Sequence, residues 1–476
     1  MGWLREIFGR TQRTQVRPVV RAKYDSAQNT AENRKHWANA DALSVNAGMT
    51  AAVRKTLRER ARYEVANNSY ARGIVSTLAN DVIGTGPRLQ MRTEDPIANS
   101  NLEALWDEWA TCVNLSEKLR VMRAARAESG ECFAVLARND NVACEIKLDL
   151  RLIEADQVAS IGSILTQSGA VDGVEYDAFG NPIAYYVLRA HPGSGSPLAT
   201  EADRISADSV LHYFRADRPG QGRGIPDLTP ALPLFSQLRR YTLAVLAAAE
   251  TCANFAGTLE TDAPAGGEAD PVEPMDTIEL ERNTLLTLPA GWKMGQMKAE
   301  QPTTTYGDFK RELLNEIARC LNMPFNIAAG NSSSYNYSSG RLDHQTYYKA
   351  IRIDQQHMEE RVLDPILGAW IGEAMLLSDL MPPRLRASEQ FPHEWFWPGS
   401  EHVDPEKEAN AARTRLETNT TTLAAEYARQ GKDWEAEVRQ RAREYALMQQ
   451  LGLPTSSAQQ AQFPQQGGNN GGASNA

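Results

Sequence analysis

Apolar residues recur every three to four positions through much of the chain, and this spacing predicts a helix-rich fold. Over 47–83, Val53, Leu57, Ala61 and Val65 step by four, with Arg54, Lys55, Arg58, Arg60 and Arg62 around them. Asn67-Asn68-Ser69 interrupts the pattern, Tyr70, Ile74, Leu78 and Val82 resume it, and Gly84-Thr85-Gly86-Pro87 stops it. A further helix is expected over 99–130, with Leu102, Leu105, Trp106 and Trp109 on one face. Strand-forming runs follow at 132–136 and 145–150. A hairpin is expected over 174–188, turning at Asp177-Ala178-Phe179-Gly180-Asn181-Pro182 before Tyr185-Tyr186-Val187.

A short strand at 210–214 runs into Arg218-Pro219-Gly220-Gln221-Gly222-Arg223-Gly224, a rigid turn ahead of a long helix over 230–255. Thr229 is expected to cap that helix and Pro230 to occupy its first turn. Its later part carries Ala244, Ala247, Ala248 and Ala249, which suits close packing between neighbouring helices. The pattern then breaks. Over 258–303 nine acidic residues face three basic ones among Pro264, Gly266, Gly267, Pro271 and Pro274, and runs such as Leu285-Leu286 allow two or three small strands. This stretch reads as an insertion between two helices, because Phe309, Leu313, Ile317 and Leu321 mark another helix over 306–321. A polar loop at 331–339 precedes a long helical region, 340–377, with a bend expected at Pro365. Residues 404–452 form a separate helical block, split at Gly431-Lys432-Asp433. The first 23 residues read as a basic flexible arm and 453–476 as a disordered, Gln/Gly/Asn/Ser-rich tail. The fold class is α+β, predominantly helical.

Charge changes the picture in one respect. The 476 residues carry a net charge of −10, yet residues 1–72 hold 14 Lys/Arg against 6 Asp/Glu. A basic N-terminal region on an acidic body suggests separate contact surfaces, and the acidic body argues against a general nucleic-acid clamp. The five cysteines, Cys112, Cys132, Cys144, Cys252 and Cys320, are odd in number and contain no CxxC pair, so reduced thiols in a cytoplasmic protein are expected. No secretory leader opens the chain, and the longest near-apolar stretch is interrupted by Glu250, so a soluble protein is expected.

Chemistry-bearing motifs are scarce. The sequence has no GxxxxGK[ST], HExxH, GxSxG or paired CxxC. Of the seven histidines, His36, His191, His212, His344, His357, His393 and His402, none has metal-ligand spacing to another, and structural roles are expected. The turn at 220–224 has the glycines and arginine to cradle an anion, but a turn that sets the angle of the next helix is the plainer reading. The loop at 331–339 offers hydroxyls, amides and two tyrosines that suit light contact with a DNA backbone, or a simple connection between helices.

Several stretches, taken in order, resemble the lambda-type portal proteins of tailed phages over roughly residues 20–452. They are Lys23-Tyr24-Asp25-Ser26-Ala27, Asn67-Asn68-Ser69-Tyr70-Ala71-Arg72-Gly73, Asn80-Asp81-Val82-Ile83-Gly84-Thr85-Gly86, Gly130-Glu131-Cys132-Phe133, Arg218-Pro219-Gly220-Gln221, Asn336-Tyr337-Ser338-Ser339-Gly340-Arg341 and Asp404-Pro405-Glu406-Lys407-Glu408-Ala409. The resemblance implies a ring, usually of twelve subunits, at one capsid vertex, with a central channel for DNA packaging and ejection. It implies a wing (24–225), a first stem helix (226–257), a clip (258–303), a second stem helix (304–322), a tunnel loop (323–340), a long helix with a return to the wing (341–402) and a helical crown (403–452). Asn331, Ser333, Tyr335, Asn336 and Tyr337 would face DNA. Arg218, Pro219, Gly220, Gln221 and Gly224 would form the hinge before the stem. Glu268, Asp270 and Glu273 would supply acidic docking charge on the clip. The implied partners are further copies of the chain, double-stranded DNA without sequence preference, the terminase large subunit, head-tail connector proteins, and the major capsid and scaffold proteins. No cofactor, metal, membrane or enzymatic activity is implied. The place is the virion, after assembly in the bacterial cytoplasm.

Two other readings stand beside it. One is a DNA-binding protein that uses the basic residues of 54–62. The other is an enzyme with an unfamiliar site.

Overall fold

The computed structural model describes residues 25–28, 30–160, 170–254, 258–261, 292–295, 305–333, 337–377, 380–381, 390–399 and 405–453. The first elements are α1 (Val45–Gly48), α2 (Ala51–Asn67) and α3 (Ser69–Ile83). Asn68 separates α2 from α3 because its side chain accepts from the Tyr70 and Ala71 N–H groups and so caps α3. Gly84, at φ 56°, ends α3. The expected 99–130 helix is instead two, α4 (Pro96–Cys112) and α5 (Leu115–Ser129), broken where Asn114 adopts φ 52°.

β1 (Arg88–Met91) precedes α4 and pairs antiparallel with β11 (His393–Phe396) far along the chain. After α5 come β2 (Glu131–Arg138), β3 (Leu148–Ile153), β4 (Ala170–Val171), β5 (Val174–Tyr176), β6 (Pro182–Leu188), β7 (Ala202–Ser206) and β8 (Val210–Phe214). They form two antiparallel sheets, ordered β3-β2-β8 and β4-β5-β6-β7. Phe133, Ile153, Val158, Val174, Tyr185, Val187 and Val210 make the apolar layer shared by these strands. The β5–β6 hairpin turns as expected: Asp177 accepts from the Phe179 and Asn181 N–H groups. β3 begins three residues later than its apolar run suggests. Residues before it are held as a loop, where Lys147 N–H donates to Glu373 and Lys147 Nζ to the Val142 carbonyl.

α6 (Leu232–Asn254) follows a 3-10 turn at Thr229–Ala231. Thr229 does not cap α6 as expected; its hydroxyl donates back to the Pro226 carbonyl, 2.7 Å away, and tightens the turn instead. β9 (Thr258–Thr261) and β10 (Trp292–Gly295) pair antiparallel, so the acidic insertion contains two short strands among the described residues. α7 (Thr305–Arg319) and α8 (Phe325–Ala329) come next. α9 (Tyr337–Met358) passes through a π turn (Glu359–Leu363) into α10 (Asp364–Leu376). The expected irregularity therefore falls just ahead of Pro365, which has no N–H to return to the preceding turn. Three helices, Pro405–Glu417, Leu423–Arg429 and Trp434–Gln450, complete the C-terminal block.

The larger core joins α3, α4, α5, β1, β2, β8 and the helices α7 to α10. Trp106 is its aromatic centre, with Trp109, Trp370 and Trp395 at 4.9, 5.6 and 5.3 Å between ring centres. Among the described residues no helix is long and apolar enough to cross a membrane.

The cysteines depart from the expectation of reduced thiols. Cys112, at the end of α4, and Cys144, in the loop before β3, are joined as a disulfide. Neither the parity of the count nor the missing CxxC says which cysteines the fold brings together. Cys132 and Cys320 are free, and burial pushes both thiols up to about 12.

Candidate functional site: a charge-locked turn ahead of α6

The turn at 217–227 is fixed by groups from distant parts of the chain. Gln221 is buried and works as an internal splint: its Oε1 accepts from the Asp217 and Arg218 N–H groups, and its Nε2 donates to the Arg215 and Arg223 carbonyls. Asn46 reaches across from α1, donating to the Gly220 carbonyl at 3.0 Å and accepting from Gly222 N–H at 3.2 Å. The Tyr176 hydroxyl donates to the Gly222 carbonyl at 2.7 Å, and Arg218 donates to the Leu43 carbonyl. Pro219 and Gly220 are exposed at the apex, and Gly220 takes φ 76°.

Arg223 is the centre of the turn and is fully buried. Its Nε donates to both oxygens of Glu131 at 3.0 Å, and its Nη2 donates to Glu131 Oε1 at 2.7 Å. The remaining N–H groups go to the carbonyls of Ala155, Val158 and Asp172. Its guanidinium also lies over the Phe133 ring. Glu131, the first residue of β2, accepts further from Gly224 N–H at 2.9 Å and from Arg58, and its Oε2 lies 3.0 Å from His212 Nε2. Burial alone would raise the Glu131 carboxyl, but Arg223 and His212 outweigh it and hold the group well below the carboxylate range. Burial lowers His212, against the pull of Glu131, and the ring is stacked between Phe133 and Phe214 at 4.2 and 4.3 Å.

A second buried cluster holds the end of the turn. Arg123 of α5 donates to Asp227 at 3.2 Å and to Asp354 of α9 at 2.8 Å. Arg126 donates to Asp354 at 3.0 Å and to the Tyr213 hydroxyl at 2.9 Å. Burial would raise Asp354, but the two arginines lower it. These contacts tie the last residues before α6 to both α5 and α9.

Backbone contact completes the lock. A Cβ at Gly224 would lie 2.1 Å from the Gly130 carbonyl oxygen. A Cβ at Gly130, itself at φ 89°, would lie 2.4 Å from the Ile225 backbone.

The N–H groups of Gly222 and Gly224 and the Arg223 side chain are thus spent on internal acceptors. The anion-cradle reading of this turn loses its arginine and two of its glycine N–H groups to those internal acceptors.

The basic helix is also reassigned. Its period is as expected but its buried face is not. Arg54, Arg58, Ala61 and Glu64 point inward, whereas Val53 is 42% exposed. Arg54 pairs with Asp172, Arg58 with Glu131 and Asp156 at 3.4 Å each, and Arg62 with Asp156 at 2.8 Å. Four of the five charges counted toward DNA binding therefore lie against the chain's own carboxylates, Lys55 meeting Glu59 at 4.0 Å on the exposed face.

Glu154, Asp156 and His191 lie close enough together to share a cation. Arg62 already meets both carboxylates, and His191 Nδ1 accepts from Gly193 N–H.

Of the other expected site residues, Asn331 and Ser333 are exposed just after α8, and Asn331 Oδ1 accepts from Ser333 N–H. Tyr337 is the first residue of α9. Tyr335, Asn336, Glu268, Asp270 and Glu273 lie outside the described residues. The sequence places Glu131 in a family stretch and Arg223 in the turn without pairing them, and nothing in it singles out Asp172, Asp227, Arg123, Arg126 or Asp354. The available signal was a charged residue beside glycine at each end of the contact, Gly130-Glu131 and Arg223-Gly224.

Fold and site define a helix-rich α+β protein whose body grips the root of a long helix through buried ion pairs. The sequence pattern of the family described as phage portal protein, lambda family, matches residues 31–355, and the chain belongs to that family. A curated relative, the probable portal protein of Halomonas phage phiHAP-1, is 27% identical over 430 residues, covering 84% of this chain and 82% of that protein. Among solved structures, the neck of an empty GTA particle computed with C6 symmetry aligns at TM-score 0.48 and 13% identity, covering 79% of this chain and 94% of that one. The neck of a native GTA particle computed with C12 symmetry aligns at TM-score 0.47 and 13% identity, covering 78% and 90%.

Proposed function

We propose that the chain assembles into a closed ring, of twelve subunits on the family pattern, at one vertex of a phage capsid. The ring is the channel through which double-stranded DNA is packaged and later ejected. Residues 24–225 are its wing, 226–257 and 304–322 its stem, 258–303 its clip, 323–340 its tunnel loop, 341–402 the return to the wing and 403–452 its crown. The terminase large subunit and then connector proteins dock at the clip, with Glu268, Asp270 and Glu273 as acidic contacts, while capsid and scaffold proteins surround the wing. Assembly takes place in the bacterial cytoplasm and the product stays in the virion.

The observation that carries this reading is family membership over residues 31–355. The charge-locked turn supports it physically. A conduit needs each stem held at a fixed angle to its wing, and buried, hydrogen-bonded ion pairs fix geometry at the expense of net stability. The internal pairing of Arg54, Arg58 and Arg62 also fits a channel that lets DNA slide, since phosphate neutralisation on a large scale would hold it.

Native mass spectrometry of the purified 52.6 kDa chain tests the ring. A species of roughly 630 kDa is expected for a closed twelve-membered assembly. A chain that stays monomeric or dimeric, even with capsid and scaffold proteins added, would overturn it.

Deleting residues 333–338 should leave the assembly intact and lower the amount of DNA packaged or retained. Loss of assembly in that variant would make the loop a structural connection and end its DNA-facing role.

A further inference from the structure

α6 and α7 run antiparallel. Tyr241 packs on Tyr306 and Phe309 at 5.7 and 4.6 Å between ring centres, whereas Cys320, just past α7, feels the charge of Asp227 before α6. Each helix keeps an uncovered face. On α6, Arg240, Leu243 and Ala247 recur at helical spacing and are exposed, with Leu243 at 58% and Leu246 at 53%. Leu243 and Ala247 lie away from Tyr241, which faces α7, because 3.6 residues make a turn. On α7, Phe309, Glu312, Leu313, Asn315, Glu316 and Arg319 line a groove of about 390 Å³, with Phe309 50% exposed. Among the described residues, Arg240, Glu312 and Glu316 have no ionic partner.

We infer that the uncovered α6 face of one copy of this chain seats in the α7 groove of the next, with Leu243 against Phe309 and Arg240 paired with Glu312. The inference rests on the ring reading and names the surfaces that close it.

Two observations select a second copy as the occupant. The first is complementarity: an apolar knob with a free cation meets an apolar groove that carries the free anions Glu312 and Glu316 beside Phe309, with Arg319 farther along α7. The second is height. Tyr241 and Phe309 lie at the same level of the hairpin, and a rotation about an axis along the hairpin preserves level. Leu243 and Arg240 flank Tyr241 in sequence, so they arrive within one helical turn of Phe309 and Glu312 on the neighbour. Because knob and groove are different faces of one hairpin, the contact is head-to-tail, the kind that closes rings.

The test is charge reversal and swap in the full chain, read by native mass spectrometry at low ionic strength, where such pairs are least screened. Arg240→Glu and Glu312→Arg should each lower the ring fraction at least about tenfold, since like charges then face each other at every interface. The double variant should restore the ring. Leu243→Gln, which changes no charge, should also lower the ring fraction. Unchanged far-ultraviolet circular dichroism would show that all variants fold, as expected for exposed positions.

A wild-type ring that survives both single reversals overturns this contact and leaves the ring reading standing. Loss in both singles without recovery in the double overturns the Arg240–Glu312 pairing. A wild-type chain that forms no ring overturns the ring reading, and the contact with it.

Discussion

Arg223→Met lowers the stability of the chain by about 3–5 kcal/mol, the cost of leaving a buried charge without its partner. Glu131 stays fully buried in that variant and loses three of its hydrogen bonds, while the carbonyls of Ala155, Val158 and Asp172 lose their donor. Glu131→Gln is expected to cost a similar amount, because it leaves the buried Arg223 charge with only the Asp172 carboxylate, 3.5 Å away, to balance it. The double variant Glu131→Leu with Arg223→Met should cost clearly less than the sum, since no charge of the pair is then left behind. Urea unfolding midpoints measure all three.

The pH response has a definite sign. Glu131 and Asp354 are held below their ordinary values, so their contribution is complete at neutral pH and falls away as pH drops through the folded values. His212 is buried with its proton affinity lowered, so it adds a loss that begins as pH falls through about 6.5. The contribution of this cluster should therefore be flat above neutrality and decline on the acid side, whereas Glu103, which burial pushes up to about 7, works in the opposite direction. A midpoint for Glu131→Gln equal to that of the wild type, or a gap between the two that fails to narrow at strongly acid pH, would mean the pair is not formed.

Gly224→Ala should be at least as damaging, and for a different reason. A methyl group there would lie 2.1 Å from the Gly130 carbonyl oxygen and 2.9 Å from Glu131 Cβ, so β2 and the turn must separate. That movement also pulls the Gly224 N–H and the adjacent Arg223 from the Glu131 carboxylate, and the expected loss exceeds about 3 kcal/mol. Gly220→Ala, four residues away, is the control. Its φ of 76° also favours glycine, but nothing lies within 4 Å of the added methyl. It should cost about 1–2 kcal/mol, the penalty of a left-handed backbone alone. Equal effects of the two substitutions would mean that turn conformation matters there and close packing against Gly130 does not. If the chain forms the proposed ring, Gly224→Ala should disturb the angle of α6 and lower the yield of rings, whereas Gly220→Ala should not.

Much of the fold was legible in the sequence because it is local. The four-residue period announced α2, α3 and α7. Asn68 stops α2 and caps α3, and Gly84 terminates the second helix, because each supplies conformational chemistry within a few residues. The hairpin at 174–188 follows from Asp177 and the turn formers after it. The order of short stretches was enough to mark the family.

The direction of a helix face is not local, and only the tertiary structure decided it. Arg54 and Arg58 look like solvent-facing charge beside Val53 and Leu57, yet they are the buried side of α2. They point inward because Asp172, Glu131 and Asp156, from strands and turns more than seventy residues away, offer carboxylates there. The same reason hid the Arg223–Glu131 pair and the Asp227–Arg123–Asp354 cluster, whose members lie on separate elements. It also hid the Cys112–Cys144 link. Periodicity and turn chemistry determine which segments are helices, strands and turns, because those preferences act over a few residues. Which charges are sequestered and which remain free for a partner depends on what the fold brings opposite them, and that is set only when the chain closes on itself.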